Sequence, residues 1–296
     1  MRYEEISDQT RADLFGASLN PDQVIDLIHR AFEEDLQGGE DVTSVATIPA
    51  DHFSTGEFRT RATGVVAGIP IARAVLETVG IGDITTPILC AHKVESGAVL
   101  MSVRANTRAL LLAERTALNF LGHLSGIATL TRRWVDEVSE FGTLIRDTRK
   151  TTPGLRELEK YAVRRGGGTN HRMSLSDAAL IKDNHIAAVG GVVKALQSVR
   201  SLYPNIEVEI EVDTLEQLQE ILPYNPDLVL LDNMSVEECR QAVEITAGRC
   251  ELEASGGLSL KNARAYAQTG VDYLAVGALT HSAPVFDIGL DLKAEI

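Results

Sequence analysis

The pattern of apolar and polar positions changes character near residue 140. Before that point, apolar residues recur at helical spacing in two stretches. One begins at Asn20-Pro21 and ends before Gly38-Gly39, and the other covers residues 107–140. Between them, residues 55–105 carry short β-like runs separated by glycines. The mixture predicts an N-terminal α+β domain, and Ser125-Gly126 predicts a break between two helices in the second stretch.

Beyond residue 140, short apolar runs alternate with helical segments, which is typical of parallel strands joined by right-handed helical crossovers. Six runs are predicted to be strands: Thr143–Asp147, Ala178–Ile181, Val208–Ile210, Leu228–Leu231, Cys250–Ala254 and Tyr273–Val276. A complete barrel of this kind has about eight strands. We therefore predict an α/β fold with an incomplete (β/α) barrel of about six parallel strands, preceded by an α+β sandwich-like domain.

The change of pattern also predicts how the chain divides. We expect residues 1–125 to form the N-terminal α+β domain and residues 126–284 to form the open barrel that carries the catalytic site. We expect residues 285–296 to form a tail that returns to the N-terminal domain.

Composition excludes several classes of protein. Among 296 residues, 28 Lys and Arg oppose 42 Asp and Glu, so the formal net charge is −14. Such a chain repels phosphodiester backbones, and we expect no nucleic-acid partner. No apolar run reaches the roughly 18–20 residues of a membrane helix and no apolar leader opens the sequence, so we expect a cytoplasmic protein without a membrane partner. The three scattered cysteines, Cys90, Cys239 and Cys250, are expected to be buried thiols.

Positive charge is concentrated between Arg146 and Lys182, where nine basic residues oppose four acidic ones. A cationic segment in an anionic chain suits a small, highly charged anion. Arg156, Lys160 and Arg164 recur at helical spacing, and we expect them to form a solvated helix face. The remaining candidates for anion binding are Arg149, Lys150, His171, Arg172 and Lys182.

The predicted strand ends carry further chemistry, because ligands of parallel sheets bind at the carboxyl ends of the strands. Lys182, Glu211 and Asp232 follow three successive strands. Together they would place one cation and two carboxylates around a single cavity. A single acid after a strand can equally well cap the next helix, so the series carries more weight than any one member.

Two late strand ends predict phosphate binding. Ser255-Gly256-Gly257 precedes Ser259, which we expect to cap a helix that runs to Gly270 and directs its free N–H groups at an anion. Gly277-Ala278 follows the last strand in a similar way. A single Ser-Gly-Gly is more often an ordinary turn. Two such segments at consecutive late strand ends favour a phosphate site.

Several motifs occur in one order along nearly the whole chain. The most specific are Asp147-Thr-Arg-Lys-Thr-Thr-Pro-Gly-Leu155, Gly166-Gly-Gly-Thr-Asn-His-Arg172 and Leu180-Ile-Lys-Asp-Asn-His185, with further matches at residues 114–119, 124–128, 209–212, 231–233 and 276–279. In these motifs the sequence resembles the quinolinate phosphoribosyltransferases, a family also called nicotinate-nucleotide pyrophosphorylase (carboxylating).

The resemblance implies a pentosyltransferase of NAD biosynthesis. Members join quinolinate to the ribose of phosphoribosyl pyrophosphate, release pyrophosphate and CO2, and form nicotinate mononucleotide. The resemblance also implies Mg2+ as the cofactor that accompanies phosphoribosyl pyrophosphate. It further implies a homodimer with shared active sites, in which the N-terminal domain contributes to the neighbouring site; larger assemblies stay open.

The resemblance also implies roles for individual residues. It implies that Lys150, Glu211 and Asp232 are catalytic, and that both acids lie near magnesium, in direct contact or through water. The implied substrate-binding residues are Arg115 from the partner subunit, Thr148, Arg149, Lys150, His171, Arg172, Lys182, Glu211 and Asp232. The implied 5′-phosphate ligands are Ser255, Gly256, Gly257, Gly277 and Ala278. The charges suit the substrate, because a guanidinium can clamp a carboxylate with two hydrogen bonds. Without the resemblance, Arg115 would be taken for an exposed helix arginine paired with a nearby acid.

Rival interpretations stay open from the sequence. A paralogue from molybdate-transport clusters shares the Thr-Arg-Lys and His-Arg signatures but acts on a different substrate. Another barrel enzyme for a phosphorylated sugar needs only the late phosphate site. The other phosphoribosyltransferase architecture requires paired acids, which Asn233-Met234 interrupts. A binding module without catalysis leaves the polar strand ends unexplained.

Overall fold

The computed structural model describes residues 3–88 and 91–294. The chain divides into two compact units. The first comprises Met1–Leu130, Glu157–Gly166 and Ala283–Ile296, and the second comprises Thr131–Arg156 and Gly167–Ser282. The first unit thus extends beyond the expected limit at residue 125, and it includes a helical segment that the sequence pattern assigns to the barrel.

The first unit combines helices with a small antiparallel sheet. Its helices are α1 (Asp8–Gly16), α2 (Pro21–Leu36), α3 (Val42–Thr47), α4 (Ile69–Thr78), α5 (Thr107–Val138), which continues into the second unit, and α6 (Arg156–Arg165), whose first residue belongs to the second unit. The predicted start of α2 is confirmed, because the Asn20 side chain accepts hydrogen bonds from the N–H groups of Asp22 and Gln23.

The strands of the first unit are β1 (Phe53–Thr60), β2 (Gly64–Val65), β3 (Asp83–Thr85), β4 (Lys93–Val94), β5 (Val99–Asn106) and, far along the chain, β12 (Ile288–Ala294). Four of them form an antiparallel sheet in the order β12-β1-β5-β3, and β2 pairs with β4. Phe58 of β1 lies opposite Met101 on one side and Leu290 on the other. Residues 288–294 therefore belong to the sheet of the first unit.

Helix α5 corrects the predicted break at Ser125-Gly126, because it is continuous from Thr107 to Val138. The Ser125 hydroxyl accepts a hydrogen bond from the N–H of Ala67 and donates one to its carbonyl, both at 3.1 Å. A Cβ placed on Gly126 would lie only 2.1 Å from the carbonyl oxygen of Pro284. Both small residues therefore serve close packing inside the first unit and do not end the helix.

The prediction that Arg156, Lys160 and Arg164 form a solvated face is wrong, because Lys160 of α6 is completely buried. Its neighbours Glu159 and Tyr161 are buried as well, and the Tyr161 hydroxyl accepts a hydrogen bond from the N–H of Gly68. The Arg164 guanidinium is half-buried and donates to the carbonyl of Ala17. Helical spacing identified residues on a common face, but it did not show that this helix packs within the first unit.

The second unit is a six-stranded parallel sheet with flanking helices. Its strands are β6 (Leu144–Arg146), β7 (Ala179–Ile181), β8 (Val208–Val212), β9 (Leu228–Asp232), β10 (Glu251–Ser255) and β11 (Tyr273–Ala275). Its helices are α7 (Asp183–Val189), α8 (Val192–Leu202), α9 (Leu215–Ile221), a 3-10 turn at Leu222–Tyr224, α10 (Val236–Thr246), α11 (Ala263–Ala267) and α12 (Ala278–His281).

All six predicted strands are confirmed, and the sheet order is β6-β11-β10-β9-β8-β7. Strands β6 and β7 occupy the two edges and do not pair with each other in the described part of the chain. The barrel is therefore open, as the sequence pattern predicts.

The strand register places polar residues on one face of the sheet. Asp232 of β9 lies opposite Ser255 of β10, and Glu211 of β8 lies opposite Leu230 of β9. Because alternate side chains of a strand share a face, Glu253 lies on the same face as Ser255, two residues earlier in the strand. This face carries the chemistry of the second unit.

The expected helix from Ser259 to Gly270 is much shorter in the structure. Helix α11 contains only Ala263–Ala267, and the backbone N–H and hydroxyl of Ser259 both donate to Asn262 Oδ1 in a turn before it. Ser259 therefore does not cap a helix. The part of the phosphate prediction that invoked a helix dipole behind Ser255 is wrong.

Two further expectations concern cysteines and membranes. Cys239 is buried as expected, Cys250 is only half-buried just before β10, and Cys90 lies outside the described residues. None of the helices in residues 3–88 and 91–294 combines the length and apolarity needed to cross a bilayer.

Candidate active site

A cavity of about 280 Å3 lies at the carboxyl ends of the strands in the second unit. Nine of the residues singled out from the sequence line it: Thr148, Arg149, Lys150, His171, Arg172, Lys182, Glu211, Asp232 and Ser255. They come from five strand ends and the loop after Gly167. The structure thus brings together the cations and carboxylates that the sequence predicts around one cavity.

The other candidate residues do not line this cavity. Gly277 adjoins it, because a Cβ there would lie 3.1 Å from Cδ of Lys150. Gly256 packs against Asn233, whose Oδ1 would be 2.1 Å from an added Cβ, and Gly257 follows it with a positive φ of 64°. Ala278 begins α12. Arg115 is exposed on the part of α5 that belongs to the first unit.

The loop after β6 is fixed by its own backbone and by α12. The backbone N–H of Lys150 donates to the Thr148 hydroxyl at 3.0 Å. The carbonyl of Lys150 accepts a hydrogen bond from the Thr280 hydroxyl at 2.8 Å. These contacts hold Arg149 and Lys150 at the cavity wall and leave their side chains to face a ligand.

The loop that carries His171 and Arg172 is fixed by Asp147, which is fully buried. Its carboxylate accepts hydrogen bonds from the backbone N–H of His171 and from the Asn170 side chain. The Arg172 guanidinium donates to the carbonyl of Ala178 at 3.1 Å. The loop therefore holds Arg172 beside the cavity.

Arg149 and Arg172 form a pair of neighbouring positive charges. The pKa of Arg172 is lowered, first by burial and then by the positive charge of Arg149, while Glu209 and Asp177 oppose the shift. The Nε atoms of both arginines are buried and have no hydrogen-bond partner in the described structure. Buried N–H groups without acceptors are unfavourable, so an anion that accepts from both guanidinium groups is strongly favoured here.

Glu211 and Asp232 form the negatively charged side of the cavity. The Lys182 ammonium is 2.6 Å from Glu211 Oε2. The pKa of Asp232 is raised, first by burial and then by the negative charge of Glu211, while Lys182 lowers it. Two neighbouring carboxylates are the oxygen donors that Mg2+ prefers, so these residues fit a magnesium ion.

Sequence reasoning missed three residues on the same face: Arg146, Glu209 and Glu253. Arg146 donates from Nη1 to Glu253 Oε2 at 2.9 Å, and its guanidinium lies 3.6 Å from the ring centre of Tyr273. Burial raises the pKa of Glu209 to about 7 and that of Glu253 to about 8. Strand alternation could have found both acids, since each lies two residues before a candidate that faces the cavity.

An open parallel barrel with two neighbouring guanidinium groups and two carboxylates around one cavity is typical of an enzyme that binds a small, multiply charged anion. Comparison with protein families makes the class specific. The quinolinate phosphoribosyl transferase N-terminal domain matches residues 41–125, and the C-terminal domain of the same enzyme matches residues 127–291. The chain belongs to the quinolinate phosphoribosyl transferase family.

Individual relatives agree with this assignment. The chain is 53% identical over 277 residues to the nicotinate-nucleotide pyrophosphorylase [carboxylating] of Mycobacterium leprae, which covers 92% of this chain and 98% of that protein. The structure of NadC from Streptococcus pyogenes is 37% identical with a TM-score of 0.90, covering 94% and 99% of the two chains. Nicotinate-nucleotide pyrophosphorylase from Ehrlichia chaffeensis is 41% identical with a TM-score of 0.87, covering 90% and 98%. The resemblance found in the sequence is confirmed.

Proposed function

We propose that this protein transfers the phosphoribosyl group of phosphoribosyl pyrophosphate to quinolinate with loss of CO2, and so makes nicotinate mononucleotide and pyrophosphate for NAD biosynthesis. The observation that carries the proposal is the pair of partly buried guanidinium groups of Arg149 and Arg172, which share one cavity with Glu211 and Asp232. Names of its relatives support the same reaction, since they are called nicotinate-nucleotide pyrophosphorylase [carboxylating] or quinolinate phosphoribosyltransferase [decarboxylating].

Quinolinate has two adjacent carboxylates on a flat ring, and the cationic side of the cavity suits this shape. Arg149 and Arg172 each offer a planar fork of N–H donors, and Lys182 adds a point charge. His171 and Thr148 complete this wall of the cavity. Binding the diacid would relieve the repulsion between the two guanidinium groups, which Glu209 and Asp177 only partly offset at Arg172.

Phosphoribosyl pyrophosphate would occupy the acidic side. Its 5′-phosphate would lie at Ser255, Gly256, Gly257, Gly277 and Ala278, of which Ser255 lines the cavity and Gly277 adjoins it. Glu211 and Asp232 would hold Mg2+, directly or through water, when it arrives with the substrate. The ion supplies positive charge that neutralises the departing pyrophosphate.

The chain's own residues would act mainly by position and charge. As the bond between ribose and pyrophosphate breaks, positive charge grows on the ribose, and Glu211 and Asp232 stabilise it in a site with little water. The pyridine nitrogen uses its lone pair to form the new bond to that carbon. The ring nitrogen is then positive, so the bond to the adjacent carboxylate can break, CO2 leaves, and its electron pair stays on the ring carbon. The Lys150 ammonium lies on the cavity wall, and we propose that it donates the proton that this carbon takes up.

We also propose a homodimer in which Arg115 of one chain completes the active site of its partner. Arg115 is exposed on α5, so it is available to a second chain. The N-terminal domain would supply this contact.

The two described cysteines, Cys239 and Cys250, are free thiols, which is typical of a reducing compartment and supports a cytoplasmic location.

The test is release of CO2 from quinolinate labelled at the carboxylate beside the ring nitrogen. We expect release only when phosphoribosyl pyrophosphate is also present, together with nicotinate mononucleotide in equal amount. Nicotinate, which lacks the second carboxylate, is the control substrate, and we expect no product from it. Turnover of nicotinate, or no turnover of quinolinate, would contradict the proposal and favour the paralogue with another substrate.

A further inference from the structure

The imidazole of His171 is held by protein groups at both nitrogens. Nδ1 accepts a hydrogen bond from the backbone N–H of Arg172 at 2.8 Å, so Nδ1 carries no proton. Nε2 lies 2.6 Å from Glu209 Oε2, to which it donates as the protonated nitrogen. The ring is therefore the neutral Nε2–H tautomer. Neither nitrogen is left to bind a carboxylate of the substrate.

Glu209 lies beside a second buried carboxyl group, that of Glu253. One carboxylate oxygen of each residue lies within 4.8 Å of the other, and burial raises the pKa of both acids. Glu253 in turn accepts from Arg146, whose guanidinium lies over Tyr273. A series of contacts thus runs from β6 through β10 and β8 to the loop of His171.

The same atoms have a rival explanation as a metal site. One ligand atom each from His171, Glu209 and Glu253 lies within 4.8 Å of the others. Two features disfavour a metal ion. The Arg146 guanidinium already balances the charge of the carboxyl pair at 2.9 Å from Glu253. The hydrogen bond from Arg172 to Nδ1 leaves the proton of the neutral ring on Nε2, the nitrogen that a metal would need.

We propose that Glu209 is a positioning residue for diacid binding: it fixes the His171 ring, the ring fixes the backbone of Arg172, and the Arg172 guanidinium is thereby aimed into the cavity. Glu253, which Arg146 holds, lies beside Glu209. His171 then acts on the substrate through Arg172 and not as a ligand. This inference rests on the proposed function, because it assigns the role within the quinolinate side of the site.

The kinetic test compares Glu209→Ala with Glu209→Gln. We expect Glu209→Ala to raise the KM for quinolinate at least tenfold and to leave the KM for phosphoribosyl pyrophosphate within twofold. Glu209→Gln should keep the quinolinate KM within threefold, because its amide oxygen accepts the same Nε2–H. Glu207→Ala, on an exposed residue just before the same strand, is the matched control and should change neither constant.

The combined variant shows whether Glu209 acts through His171. If it does, Glu209→Ala with His171→Ala should raise the quinolinate KM no more than His171→Ala alone. If the rise in quinolinate KM of the combined variant equals the product of the two single rises, the proposal is overturned. An equal rise in both KM values, or a Glu209→Gln variant as weak as Glu209→Ala at an unchanged melting temperature, would also overturn it.

Nitrogen NMR of the histidine rings tests the geometry without turnover, with His171→Ala to assign the signal. We expect a single Nε2–H tautomer in the unmodified protein and in Glu209→Gln, and a mixture of tautomers in Glu209→Ala. An unprotonated Nε2 with one bound divalent ion per chain would overturn the proposal. If quinolinate is not turned over at all, the proposed function fails, while this NMR result still decides whether Glu209 fixes the ring.

Discussion

At the scale of single residues, the cavity is defined by charges that the protein leaves unbalanced on one side and balances on the other. Arg149 and Arg172 repel each other, and the buried Nε atom of each has no hydrogen-bond partner among the described residues. Lys182 and Glu211, in contrast, form a close ion pair. The two carboxylates of quinolinate fit the side with unbalanced positive charge. The positive charge that grows on the ribose as pyrophosphate departs fits the side with Glu211 and Asp232.

Arg172→Ala is expected to raise the KM for quinolinate about 30- to 100-fold, because a lost hydrogen bond between charged groups weakens binding by about 2–3 kcal/mol. Steady-state assays with each substrate varied in turn measure this. Arg240→Ala, which removes an exposed arginine of α10, is the matched control and should leave the constant unchanged. An unchanged quinolinate KM in Arg172→Ala would remove Arg172 from the carboxylate site.

Glu253→Gln is expected to change how stability depends on pH. The pKa of Glu253 is raised to about 8 in the folded protein from an ordinary value near 4.5, so between these values the folded state holds a proton that the unfolded chain releases. The folded state therefore loses stability as pH rises through this window. Glutamine carries no such proton, so the melting temperature of Glu253→Gln should rise relative to the unmodified protein between pH 5 and pH 8. If the melting temperatures of the two proteins instead differ by a constant amount across this pH range, Glu253 is ionised in the folded protein.

At the scale of elements, the strands of the second unit could be predicted and several helices could not. Each buried parallel strand is a short apolar run, and each run ends at a polar residue such as Asp232, so local sequence is sufficient to locate it. Tyr161 of α6 and Gly126 of α5 contact residues far along the chain, Gly68 and Pro284 respectively. Such contacts leave no periodic signal. The shortness of α11 depends on a local turn closed by Asn262, which the expected cap at Ser259 did not reveal.

Gly126→Ala is expected to destabilise the protein by about 1–3 kcal/mol, because its new methyl group would meet the carbonyl oxygen of Pro284 at 2.1 Å. Chemical denaturation measures the change. Gly16→Ala at the end of α1 is the matched control, since nothing lies within 4 Å of an added Cβ there. Equal stability of the two variants would mean that α5 tolerates a larger residue at this contact.

At the scale of the whole molecule, the sequence predicts thirteen site residues on the second unit, and nine of them line one cavity. Gly256, Gly257, Gly277 and Ala278 do not line it. What the motifs did not reveal is the layer beneath: Glu209, Glu253 and Arg146 hold other side chains in place, and their positions follow from strand register. Residues that face a ligand occur in recognisable short motifs. Residues that support them are recognisable only once strands are aligned.

The proposed shared site makes a quantitative prediction for mixed dimers. At a quinolinate concentration near the KM of the unmodified protein, Arg115→Ala and Arg172→Ala chains should each be nearly inactive alone. When co-expressed in equal amounts, half of the dimers contain one chain of each kind, and one of their two sites combines an intact Arg172 with an intact Arg115. Activity should therefore recover to about a quarter of the unmodified level. Activity no higher than that of the separate variants would show that Arg115 does not act across the dimer.

The pairing of β12 with β1 has a consequence for biosynthesis. Residues 288–294 supply the edge strand beside residues 54–60, although the whole second unit lies between them in the sequence. On the ribosome, the segments of the second unit emerge before that edge strand is available. The first unit is begun early and completed late, and until then the edge of β1 is exposed to nascent neighbours and to chaperones.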